Sequence, residues 1–272
     1  MTRLIAMIDG SIYSKSVCDH AAWVAGRTGA VVEILHVLGR RDVSSEPANL
    51  SGSIGLGART ALLEELTELD AQRAKLAQKR GRVILDEAKA RLQYSGVGEV
   101  VTRLRNGDIV DTATEFAADA DLIVIGKRGE AADFARLHLG SNLERVVRST
   151  HRPVLVASRA FRPIKRFLIA FDGGTSAMKA VDDVARNPLF AGLDCRLLMA
   201  GADTAEARKR LAAAAAQLRA ASYEVTADIE PGPADTAIAR RVEADGIDRL
   251  HGAGPAVERD QESLDRPERP RR

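Results

Sequence analysis

Apolar residues gather in five short blocks in the first part of the chain, at residues 4–8, 31–38, 100–104, 122–125 and 154–157. Each has strand length, and the stretches between them carry apolar positions at helical spacing. Helices are expected near residues 15–28, 58–94, 108–118 and 141–149. The second is unusually long and rich in Ala, Leu, Glu, Lys and Arg, with Gly81 as a point of bending. Strand alternating with helix predicts a parallel sheet with helical crossovers, a Rossmann-like α/β unit.

The pattern then starts again. Arg3-Leu4-Ile5-Ala6-Met7-Ile8-Asp9-Gly10 is echoed by Arg166-Phe167-Leu168-Ile169-Ala170-Phe171-Asp172-Gly173. Val101-Thr102 with Asp111-Thr112-Ala113 is echoed by Val225-Thr226 with Asp235-Thr236-Ala237 at one constant offset. The chain therefore reads as two tandem α/β units with parallel sheets, joined near residues 158–163. The second copy breaks off: after Leu250 the sequence is mostly charged, and residues 255–272 hold three prolines. The expected division is a first unit over 1–160, a partial second unit over 161–250, and a disordered charged tail over 251–272. In such a chain the strand at 154–156 keeps an open apolar edge, which predicts a homo-oligomer formed through it.

Composition narrows the function classes. A formal charge of +2, with basic and acidic residues interleaved, gives no footprint for nucleic acid. No stretch approaches the roughly 20 apolar residues of a membrane span, so neither a membrane nor secretion is expected. Cys18 and Cys195 stand far apart, outside any metal or disulfide pattern, which fits the cytoplasm. The histidines show no ligand spacing, so no metal site is expected.

The most specific local feature follows the apolar run 122–125: Gly126-Lys127-Arg128-Gly129, ten further residues, then Gly140-Ser141-Asn142. Glycines let backbone turn tightly and approach phosphate oxygens. Ser141 and Asn142 would offer a hydroxyl and free N–H groups at a helix N-terminus, and Lys127 would add positive charge. A plainer reading of Ser141 and Glu144 is a capping box. Capping does not account for three glycines in a loop leaving a buried strand. The glycines at 52, 55 and 57 follow no strand directly and read as a flexible loop before the long helix.

Together with Ile8-Asp9-Gly10-Ser11 after the first strand, Leu35-His36-Val37 ending the second and Arg152-Pro153-Val154-Leu155-Val156 as the last, this loop resembles the universal stress protein family. Nucleotide-binding members carry Gly, two residues, Gly, nine residues, Gly, then Ser or Thr; this chain has ten residues in the second gap. The resemblance implies binding of ATP or a related adenine nucleotide, with or without Mg2+, in the service of a stress response through a protein partner the sequence does not name. It places Asp9 and Val37 at the adenine and ribose end, Gly126 and Gly129 along the phosphates, and Gly140 with Ser141 at the terminal phosphates. Leu143 departs from the family, standing where binding members often have a second hydroxyl.

Asp9 and Asp172 close equivalent strands. Ligand contact is expected for the first, beside the glycine loop, and helix capping for the second. Asp108 and Asp111 have no partner that the sequence can place, so no general base or nucleophile is identified, and at most a slow ATPase is expected. Two alternatives stay open: an interaction or dimerisation module that binds no nucleotide, and an adenylating or hydrolysing enzyme of related fold.

Overall fold

In the computed structural model, which describes residues 2–39, 56–129, 141–251 and 256–257, every apolar block of the first half is a strand. The order is β1 (Arg3–Ile8), α1 (Tyr13–Thr28), β2 (Val31–Leu38), α2 (Leu56–Tyr94), β3 (Val100–Asn106), α3 (Ile109–Ala117), β4 (Leu122–Gly126), α4 (Ser141–Ser149) and β5 (Val154–Ala157). The second half follows with β6 (Arg166–Ala170), α5 (Thr175–Arg186), a 3-10 turn (Pro188–Phe190), β7 (Asp194–Ala200), α6 (Ala205–Ala220), β8 (Val225–Glu230), α7 (Ala234–Ala244), β9 (Arg249–His251) and β10 (Ala256–Val257).

Both sheets are parallel. The first runs β10-β5-β4-β1-β2-β3 and the second β8-β7-β6-β9, so each reverses direction beside its first strand, at β1/β4 and at β6/β9. Side chains alternate across the first sheet with period two. Leu4, Ala6, Val32, Ile34, Leu122 and Val124 pack under α1 and α2, through Val17, Val24, Leu85 and Leu92. Ile5, Met7, Leu35, Ile123, Ile125 and Val156 pack under α3 and α4, through Phe116, Leu143 and Val146. Such strands, buried on both faces, explain why the sequence shows unbroken apolar runs instead of alternation.

Gly81 does not end α2, which is continuous to Tyr94. A Cβ on Gly81 would fall 2.8 Å from Leu104 Cδ1 and 3.1 Å from His36 Cδ2. Gly81 permits close approach of helix to sheet. Beneath it, His36 is buried and its Nδ1–H donates to the Ile8 carbonyl at 2.8 Å, tying the carboxyl ends of β1 and β2.

The duplication extends to polar detail. Asp121, just before β4, accepts from the Thr2 N–H at 2.6 Å and the Arg3 N–H at 3.1 Å. Asp248, just before β9, accepts from the Lys165 N–H at 2.8 Å and the Arg166 N–H at 3.0 Å. These bonds, led by the Thr2 N–H, hold the Asp121 carboxyl below the usual carboxylate range. A depressed folded-state pKa means stability that is fully present above the unfolded value and lost as pH falls through the folded one. Asp121→Asn is therefore expected to lower stability at pH 7 by about 1 kcal/mol. In urea titrations its difference from the parent should shrink as pH falls through the depressed folded-state value; a difference independent of pH would contradict the clamp.

At one equivalent pair of positions the charge is reversed. Glu33 on β2 is 2% exposed and held by Arg3 and Arg103, whose Nε atoms each donate to it at 2.8 Å. Its counterpart on β7, by its pairing beside Leu168, is Arg196, set against Asp245 at 3.6 Å.

The halves meet through α1: Arg27 Nε donates to the Leu189 carbonyl at 2.6 Å, and His20 stands edge-on to Phe161 with centroids 4.9 Å apart. The sixth strand of the first sheet comes from the segment expected as a charged tail. Ala256 and Val257 lie beside Leu155 and Val156, so the edge expected to pair two copies is occupied from within the chain. The first residue of that segment, His251, closes β9, and the rest lies outside the described residues.

Candidate functional site

β1 and β4 lie side by side, with Leu4 level with Leu122 and Met7 level with Ile125, and the chain leaves them toward opposite sides of the sheet. This is the switch point of an open α/β sheet, where the two outgoing loops part and leave a crevice at the carboxyl edge. Asp9 follows β1 directly, and Gly126 closes β4. The structure brings Asp9 and Gly129 together: a Cβ on Gly129 would fall 3.0 Å from Asp9 Oδ2. Any side chain at 129 would need the Asp9 carboxylate to give by a few tenths of an ångström.

Gly126 is constrained differently. A Cβ there would meet Tyr13 Cβ at 2.8 Å and the Arg128 carbonyl at 3.3 Å, so this glycine lets the first turn of α1 pack on the end of β4. The Lys127 N–H donates to the Ala157 carbonyl at 3.0 Å, which carries the β4/β5 ladder one residue past the strand. Its backbone N–H thus serves the sheet.

Asp9 shapes the opposite wall. Its Oδ1 accepts from the Ser11 N–H at 3.0 Å and lies 3.4 Å from the Ser14 hydroxyl, which itself accepts from the Gly10 N–H at 3.0 Å. Gly10 has φ of 81°, a left-handed turn that glycine adopts without strain, and Ile84 of α2 leaves no space for a Cβ there. Asp172 makes the same local turn in the second half, accepting from the Gly174 N–H at 2.7 Å. What distinguishes Asp9 is the glycine loop facing it.

Val37 follows His36, which is level with Ile8 in the β1/β2 pairing, and packs at the margin of the core under α3 and α4. It belongs to the same carboxyl edge as Asp9. Asn142 is exposed in the first turn of α4. Gly140 and the side chain of Ser141 lie outside the described residues, as do Gly52 and Gly55 of the expected flexible loop and the segment between the second and third loop glycines; Gly57, expected in that flexible loop, falls instead in the first turn of α2. Leu143, the departure from the family pattern, is 3% exposed and packs beside Val146 in the core.

The two acids without a partner in the sequence find roles. Asp108 is the N-cap of α3, accepting from the Val110 N–H at 2.7 Å and the Asp111 N–H at 3.3 Å, with Arg145 at 3.1 Å. The Val110 N–H foremost, and then Arg145, keep its carboxyl below the usual range, a poor setting for a general base at neutral pH. Asp111 sits in the first turn of the same helix, where a negative charge favours the dipole. The cap of α3 by Asp108 was legible as a helix start, though the Arg145 contact was not.

Among the described residues no helix is long and apolar enough to cross a membrane.

A model of the universal stress protein family matches residues 1–158. The universal stress protein Slr1230 of Synechocystis sp. is 34% identical over 253 residues, covering 92% of this chain and 88% of its own length. The universal stress protein MJ0531 of Methanocaldococcus jannaschii is 29% identical over 161 residues, covering 58% of this chain and 82% of its own. In three dimensions the crystal structure of a universal stress protein from Archaeoglobus fulgidus aligns over 91% of this chain and 83% of its own with a TM-score of 0.67, at 17% identity. The fold, the tandem course of the chain and the sequence likeness agree: this chain belongs to the universal stress protein family.

Proposed function

We propose that the crevice between the ends of β1 and β4 binds ATP or a related adenine nucleotide, with or without Mg2+, and that the bound nucleotide modulates an interaction with a protein partner during a cytoplasmic stress response. The observation that carries this reading is the approach of Gly129 to the Asp9 carboxylate at the switch point. A carboxylate at the end of the first strand suits ribose or adenine hydrogen bonding, and a glycine backbone opposite suits phosphate. Val37 would face the base or sugar from the end of β2. Helix α4 follows β4 and, as a crossover helix, starts at the same edge of the sheet; Gly140, Ser141 and Asn142 would offer it the terminal phosphates. Lys127 would contribute charge through its side chain, its N–H being engaged in the sheet. The site belongs to a unit spanning residues 1–160, with a second unit over 161–250.

Binding without efficient turnover fits the capping and ion pairing of Asp108. One observation favours a second reading, an interaction module without nucleotide: Leu143 is committed to the core where binding members often carry a hydroxyl. Mass spectrometry of small molecules released from freshly purified protein separates the two readings. An adenine nucleotide retained in near-stoichiometric amount supports the first; absence of retained nucleotide together with a flat calorimetric titration by ATP supports the second.

A further inference from the structure

Helix α2 carries an unusual surface. Leu62, Leu69, Leu76 and Val83 recur at every seventh residue. Leu69 is 50%, Leu76 67% and Val83 55% exposed. Helix α2 meets the body of the protein through Gly81, Leu85, Ala88 and Leu92, all buried. Leu76 precedes Leu85 by nine residues, about two and a half turns, so the leucine row points away from the body. Among the described residues, this seven-residue apolar repeat on an exposed helix is a coiled-coil seam without its partner. Half-buried Leu66 and the aliphatic stems of Arg73 and Arg80 flank the row on the same side.

Charge along this helix identifies what fits the seam. Glu64, Glu65, Glu68 and Asp70 come with no basic residue among them, and Arg73, Lys75, Lys79, Arg80 and Arg82 follow with no acidic one. A parallel pair would set like against like. An antiparallel pair about a twofold axis level with Ala71 sets the acidic half of each helix against the basic half of the other. In that register Leu66 faces Leu76 of the second copy, Leu69 lies on the stem of its Arg73, and Glu65 flanks its Lys79.

We infer that α2 joins two copies of this chain as an antiparallel coiled coil centred on Ala71. This junction is separate from the edge of β5, which β10 covers.

The full-length chain tests it by sedimentation velocity across the micromolar range, with circular dichroism as a check on folding. The parent chain sediments as a dimer. Leu69→Asp with Leu76→Asp, at exposed positions where the monomer loses no packing, gives a folded monomer. Glu65→Lys or Lys79→Glu alone weakens the dimer roughly tenfold or more, because two attractive pairs become repulsive, and both changes in one chain restore it. Gln72→Cys, next to the axis, cross-links to its own copy on mild oxidation, whereas Glu65→Cys does not, its two copies lying about 18 Å apart along the helices. A monomer up to about 100 µM, a dimer unmoved by the aspartate pair, a charge exchange that fails to restore assembly, or equal cross-linking by both cysteines overturns the inference.

Discussion

Gly129→Val is expected to weaken adenine-nucleotide binding on the order of 100-fold or more while leaving the fold intact. The reason is geometric. The first atom of any side chain at 129 would lie 3.0 Å from Asp9 Oδ2, and the two further methyls of valine must either push the carboxylate aside or fill the crevice. The Asp9 carboxylate is anchored through Oδ1 to the Ser11 N–H, so displacing it also disturbs the turn into α1. Losing a charged hydrogen bond and the close phosphate approach together accounts for two orders of magnitude in affinity. The change is cleaner than one at Gly126, where a side chain would strike Tyr13 and threaten the packing of α1 itself. Calorimetric titration with ATP, beside a melting curve for each protein, reads the outcome; retained affinity in a folded variant would remove Gly129 from the site.

Phe167→Ala is expected to cost about 3–5 kcal/mol of unfolding free energy. Phe167 is fully buried on β6, with Phe190 at 5.0 Å and Tyr223 at 6.2 Å between ring centroids. Truncation leaves a cavity that two large aromatic neighbours on separate elements cannot close. The core it belongs to continues from the second sheet into the layer beneath α1 and α2, so the loss should register in the main unfolding transition. The proposed nucleotide crevice is on the other sheet, and affinity for ATP should stay within about twofold of the parent. A loss below about 1 kcal/mol in guanidinium titrations would mean that the second sheet is not packed as described.

Much of this architecture was legible before the structure, because strands buried on both faces leave dense apolar runs and because the chain repeats itself. Of the glycine loop, the part the structure describes was legible: Gly126 closes a buried strand and Gly129 lies beside Asp9, while Gly140 is outside the described residues. Contacts that depend on sheet order were not. Gly81 looked like a helix defect, and only the placement of β2 and β3 beneath α2 shows His36 and Leu104 waiting there. The paired clamps of Asp121 and Asp248 had a sequence signal, an aspartate directly before equivalent strands in both halves, but its meaning required knowing that β1 neighbours β4 and β6 neighbours β9. β10 was hidden for a different reason. Its two residues lie among charges and prolines, and a strand that short carries no periodicity of its own.

The most direct test of the central claim is hydrogen exchange of the parent protein with and without saturating ATP. Binding at the switch point predicts slower exchange confined to the amides of residues 10–14 and 126–129 and the start of α4, with residues 173–176 of the second unit unchanged. Identical exchange in both conditions, or protection appearing at 173–176 instead, would contradict it.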